Sequence, residues 1–114
     1  VTLEPCAHAS ARGPACADLI VAARPARVVI GQHDPDPRTA GKGIARIEAA
    51  GISVRLLDDP AAAASLAGFL TRQRHGRPHV TLKLAMLLDG CIALADGTSQ
   101  WITGVAARAH VHAQ

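Results

Sequence analysis

Apolar residues fall in short blocks, and the spacing within each block changes along the chain. Residues 1–3 are partly β-branched and predict the end of a buried strand. Residues 4–15 carry Pro and Gly and predict a loop. From Pro14 the spacing turns helical, with Cys16, Leu19, Ile20 and Ala23 on one predicted face and Pro25 as the stop. Residues 26–31 hold Val28, Val29 and Ile30 and predict a buried parallel strand. A rigid turn follows at His33-Asp34-Pro35-Asp36-Pro37. Gly41 and Gly43 then open a second predicted helix carrying Ile44, Ile47, Glu48 and Ala50, which stops at Gly51. Residues 52–57 predict another short strand. The order strand, helix, strand, helix, strand predicts an α/β fold with a parallel or mostly parallel sheet.

Asp58-Asp59-Pro60 predicts the start of a third helix, with an acidic first turn and Pro near N1, running to about Arg74. Residues 72–78 are polar and basic and read as an inter-domain linker. Val80, Leu82 and Leu84 alternate and predict a strand over 79–86. Asp89-Gly90 and Asp96-Gly97 predict turns, with a short return strand at Ile92 and Ala93 between them. From Thr103 the pattern is helical again.

Composition narrows the classes. Apolar residues make up 49% of 114, which excludes disorder, yet there are one Phe, one Trp and no Tyr. The net charge is +3 and the arginines are scattered without interleaved aromatics, so nucleic-acid binding is not indicated. A mildly basic surface suits a phosphorylated small molecule. No apolar run approaches the roughly 18 residues of a membrane span. Three cysteines, an odd count without a signal peptide, point to metal or free thiols rather than disulfides and to a cytoplasmic location. The chain opens at Val1 without an initiator Met and reads as beginning inside a domain.

The densest chemistry lies in Pro5-Cys6-Ala7-His8 followed by Gly13-Pro14-Ala15-Cys16. Zinc deaminases use one His and two Cys as ligands, with a Glu two residues after the ligand His moving protons. Thiolates hold a borderline-soft cation. Cys16, just inside a predicted helix start, is expected to have its thiol ionised by the amide dipoles. The gap between the cysteines is longer than the usual P-C-x-x-C, which disfavours plain cytidine or tRNA-adenosine deaminases. Two cysteines at this separation also read as ordinary buried thiols, and His8 as an exposed loop histidine. Asp34-Pro35-Asp36-Pro37 and Gly41-Lys42-Gly43 read either as a plain βα connection or as a ligand-binding turn whose helix amides face an anion.

These stretches resemble the bifunctional riboflavin-biosynthesis deaminase/reductase family. Its signature is Glu-Pro-Cys-x-His, a short insertion and a second Cys opening a helix, here Glu4-Pro5-Cys6-Ala7-His8 through Cys16. Its Asp-Pro-Asn-Pro segment corresponds to Asp34-Pro35-Asp36-Pro37, with Asp36 in place of Asn. Lys83-Leu84-Ala85-Met86-Leu87-Leu88-Asp89-Gly90 and Ser99-Gln100-Trp101-Ile102-Thr103 resemble the opening of its dihydrofolate-reductase-like domain. Departures are the longer insertion, Ser10 for Gly, Leu87 for Ser, and Cys91 for Lys or Arg.

The resemblance implies the C-terminal part of a cytidine-deaminase-like α/β/α domain over 1–58, a connecting helix and linker over 59–78, and the start of a reductase domain over 79–114. It implies zinc on Cys6 and Cys16, pyrimidine and ribose-phosphate contacts at His8, Asp36 and Ser99, and NADPH against Ala85 and Trp101. The implied chemistry is hydrolytic deamination of a diaminopyrimidinone ribosylamine phosphate, then NADPH-dependent reduction of its ribosyl group to ribityl. The His-x-Glu half of the motif is expected upstream, so the 114-residue chain alone is expected to be inactive in both steps. Homo-oligomerisation of the intact enzyme is left open. Without the resemblance, Trp101 reads as a core aromatic, Lys83 as a strand-edge charge and Cys91 as a structural thiol. A non-enzymatic α/β module with structural cysteines and a zinc deaminase for another base are the rival readings.

Overall fold

The computed structural model describes every residue except Arg12 and Gln114. The chain divides into two compact units, Val1–Val80 and a second from Thr81 onward.

The first unit is α/β. Strands β1 (Arg27–Ile30) and β2 (Ser53–Leu56) pair in parallel, with Arg27 opposite Ser53 and Ile30 opposite Leu56. The first residues run beside the other edge of β1: Leu3 bridges Gln32 in parallel, and the Gly31 and Gln32 amides donate to the Val1 and Thr2 carbonyls at 2.9 Å. The extended run expected there is present, but not as the end of a buried strand, since Val1 and Thr2 are exposed. Helix α1 (Cys16–Ala23) precedes β1, and helix α2 (Lys42–Ala49) forms the crossover between the two strands.

The core is aliphatic. Val28 and Ile30, two apart on β1, pack with Ala17, Ile47 and Ile52, and Ile20, Val21, Ile44 and Val54 close around them. Ile30 and Ile47 are fully buried, and burying each such side chain contributes roughly 1.5–3 kcal/mol. The inward face of α1 therefore runs through Ala17, Ile20 and Val21, at helical spacing. The expected face through Cys16, Leu19 and Ala23 is corrected: all three are exposed. The Cys16 amide is drawn instead to the preceding cysteine loop.

Past β2, the single helix expected from Asp58 is two, α3 (Pro60–Ser65) and α4 (Ala67–His75), meeting at Leu66. Ser65 donates its hydroxyl back to the Ala62 carbonyl at 2.8 Å, the local competition by which a helical serine bends its own helix. Asp59 caps α3 by accepting from the Ala61 amide at 3.1 Å. Gly76, at φ 65°, ends α4 in the left-handed conformation that glycine adopts at least cost.

In the second unit the expected strand over 79–86 is absent, as is the return strand at Ile92 and Ala93. A strand is stable only within a ladder of amides and carbonyls, and the described sheet consists of β1 and β2 alone. Leu82 is accordingly 77% exposed. Both expected turns form: Asp89 accepts from the Cys91 amide and Asp96 from the Thr98 amide, with Gly90 and Gly97 at positive φ. Helix α5 (Val105–His112) begins two residues after Thr103.

Candidate functional site

Cys6 lies in the loop after the N-terminal extended segment, and Cys16 opens α1. The Cys16 amide donates to Cys6 Sγ at 3.2 Å, and the Ala17 amide donates to the Cys6 carbonyl at 3.0 Å. The first turn of α1 thus holds the Cys6 loop through two of its free amides. Cys6 is half-buried and Cys16 exposed, and neither belongs to the aliphatic core.

Together with His8, Ser10, Gly13, Pro14 and Arg38, the two cysteines line an open pocket of about 560 Å³. His8 Nδ1 lies 3.3 Å from Oγ1 of Thr39, which is fully buried. The Cys16 thiol departs from expectation. Its hydrogen bond with Cys6, then burial, then the Cys6 charge push it up rather than ionising it. Among the described residues no third His, Cys, Asp or Glu joins them in a metal-ligating group.

Asp36 is buried within the proline turn, and its carboxylate grips Arg38. Oδ1 accepts from the Arg38 amide at 2.9 Å, and Nε and Nη2 of the guanidinium bond both oxygens. That pairing holds the Asp36 carboxyl down to about 2. Asp34 Oδ1 accepts the Asp36 amide at 2.8 Å, and burial pushes the Asp34 carboxyl up. Arg38, unremarked in the sequence, brings a cation to the pocket wall. Its signal was an Asp two residues before an Arg, the spacing of a side chain closing on its own turn.

The amides at the start of α2 do face an anion, and that anion is Glu4. Its side chain is fully buried. Oε1 accepts from the Gly43 and Ile44 amides at 3.1 and 3.3 Å; Oε2 accepts from Gly41 and Asp34 at 3.1 and 3.4 Å. His33 Nδ1 lies 3.0 Å from the same Oε2. A Cβ on Gly43 would sit 1.9 Å from the Pro5 carbonyl oxygen. The glycine therefore admits the Glu4-Pro5 backbone to the helix start.

In the second unit Ser99 and Trp101 line a pocket of about 170 Å³ with Leu87, Leu94, Thr98, Gln100 and Ile102. Arg108 stacks over Trp101, its guanidinium carbon 4.3 Å from the ring centroid. Trp101 is 70% exposed, so it is not a core aromatic. Ala85 does not line this pocket. No helix among the described residues is long and apolar enough to cross a membrane.

A family described as the RibD C-terminal domain matches residues 78–114. The riboflavin biosynthesis protein RibD of Haemophilus influenzae is 50% identical over 113 residues, covering 97% of this chain and 30% of that protein. That of Escherichia coli is 48% identical over the same shares. A Thermotoga maritima crystal structure described as a diaminohydroxyphosphoribosylaminopyrimidine deaminase/5-amino-6-(5-phosphoribosylamino)uracil reductase superposes with a TM-score of 0.86 at 38% identity, over 97% of this chain and 31% of that one. The chain thus spans about a third of the relatives it matches.

Proposed function

We propose, from the match of nearly the whole chain to a segment of the RibD family, that it serves a bifunctional deaminase/reductase of riboflavin biosynthesis. Residues 1–58 are the C-terminal part of a cytidine-deaminase-like domain, 59–78 the connection, and 79–114 the opening of a dihydrofolate-reductase-like domain. The reaction is hydrolytic deamination of a diaminopyrimidinone ribosylamine phosphate, followed by NADPH-dependent reduction of its ribosyl group.

The observation that carries the first half is the thiol pair. Cys6 and Cys16 are joined by an N–H···S bond at the wall of a pocket that also holds His8. Two neighbouring cysteine sulfurs suit zinc. The donor set fits the thiolate half of a zinc site, in which Cys6 and Cys16 would be the sulfur ligands. When bound, zinc acts as a Lewis acid that makes water nucleophilic at neutral pH. The chain's own contribution is placement. With Nδ1 of His8 set against Thr39, Nε2 is the ring nitrogen available to the pyrimidine. Arg38, neutralised on one side by Asp36, gives the pocket a fixed donor for an electron-rich group.

For the second half, Ser99 is assigned to the ribose phosphate and Ala85 and Trp101 to NADPH. The pocket beside Trp101, at about 170 Å³, is smaller than the roughly 300–1,000 Å³ of ordinary small-molecule sites. It does not enclose a dinucleotide.

The test is a chimera in which this chain replaces the matching segment of the E. coli relative, assayed for ammonia release and NADPH oxidation. Cys6→Ser and Cys16→Ser should each abolish ammonia release, while reduction of supplied deaminated substrate continues. Ammonia release that survives both substitutions would refute the reading.

A further inference from the structure

We infer that Glu4 is the positioning residue of the cysteine site: its buried carboxylate fixes the Cys6 loop to α2 and to the proline turn. This rests in part on the zinc reading, and the test below separates the two. Glu4 is two residues from Cys6, yet every partner of its carboxylate comes from residues 33–44. It collects the amides of Asp34, Gly41, Gly43 and Ile44 and the ring of His33. Hydrogen bonds to an ionised, buried acceptor are stronger than neutral ones and costly to break.

The geometry is tight on both sides of Cys6. Ahead of it, Pro5 packs so closely on Gly43 that no side chain fits there. Behind it, the Cys6 carbonyl and sulfur take two amides of α1. Cys6 is therefore suspended between the N-termini of two helices, and the α2 side depends on the Glu4 side chain. The segment that Glu4 gathers also bears Asp36 with Arg38, and Thr39 with His8. One carboxylate thus sets the spacing of Cys6, His8 and Arg38 around the pocket. Gln cannot replace it. The carboxamide has one acceptor oxygen, and its NH2 would face donors at Asp34, Gly41 and His33.

The experiment uses the full chain with Cys91→Ser, so that Cys6 and Cys16 are its only thiols. The effective concentration of the pair is measured from the equilibrium of the Cys6–Cys16 disulfide with glutathione, without metal. Co2+ affinity is then measured by sulfur-to-cobalt charge-transfer absorption. Glu4→Gln should lower the effective thiol concentration and the Co2+ affinity each by about tenfold or more, the range for losing a partner that orients a metal ligand. Ile47→Val, which removes one buried methyl group from the core, should lower the melting temperature and leave both readouts unchanged. Should Glu4→Gln not fold, His33→Ala removes one of the five contacts at a half-exposed residue and should lower the thiol concentration by about twofold or more.

A thiol equilibrium unchanged in the folded variant, or equally changed in Ile47→Val, would overturn the inference. If the parent chain binds no Co2+ while the thiol equilibrium still falls in Glu4→Gln, the positioning role stands and the zinc reading fails.

Discussion

Gly43 and Gly68 make opposite demands on the same substitution. An Ala at Gly43 would drive its Cβ into the Pro5 carbonyl, backbone against backbone, in the segment that leads to Cys6. Gly43→Ala should cost about 3 kcal/mol in denaturant unfolding. Gly68, inside α4, has nothing within 4 Å of such a Cβ, so Gly68→Ala should add about 0.5–1 kcal/mol. Asp36 gives a pH signature. Its carboxyl, held by Arg38 down to about 2 from an ordinary 3.8, stabilises the fold fully above 3.8 and loses that contribution as pH falls through about 2. Carboxyl NMR titration should place its midpoint near 2, and Arg38→Ala should return it towards 3.8. The sequence made Cys6, Cys16 and His8 visible because their spacing is local. Glu4 and Thr39 stayed hidden because their partners lie about thirty or more residues away, brought close only by the fold.

Among the elements, those with punctuation were legible and those needing a distant partner were not. Pro14 and Pro25 bracket α1, Gly41 and Gly51 bracket α2, and Asp59-Pro60 opens α3 where expected. Asp59→Ala, removing the acceptor for the Ala61 amide, should cost about 1 kcal/mol. The buried face of α1 runs through Ala17, Ile20 and Val21 rather than through Cys16, Leu19 and Ala23, because the Cys16 amide is committed to Cys6. The segment 79–86 has the alternation of a strand, but alternation states which side would be buried, not that a partner exists. The junction at Leu66 carries neither Gly nor Pro, so only the Ser65 hydroxyl could have hinted at it.

At the scale of the molecule, the aliphatic core of the first unit holds two helix N-termini around one loop, and the candidate chemistry sits on that loop. The α/β order was readable from periodicity alone. The pairing of Cys6 with Cys16 across a pocket was readable only through resemblance, because spacing alone fits buried thiols equally well. The central claim is that these two thiols form the metal-binding half of the site. Zinc K-edge X-ray absorption on the zinc-loaded chain with Cys91→Ser measures this directly. The zinc-loaded chain should show two sulfur neighbours at about 2.3 Å, falling to one in Cys6→Ser and one in Cys16→Ser. A shell of nitrogen and oxygen alone, or a sulfur count that neither substitution changes, would contradict it.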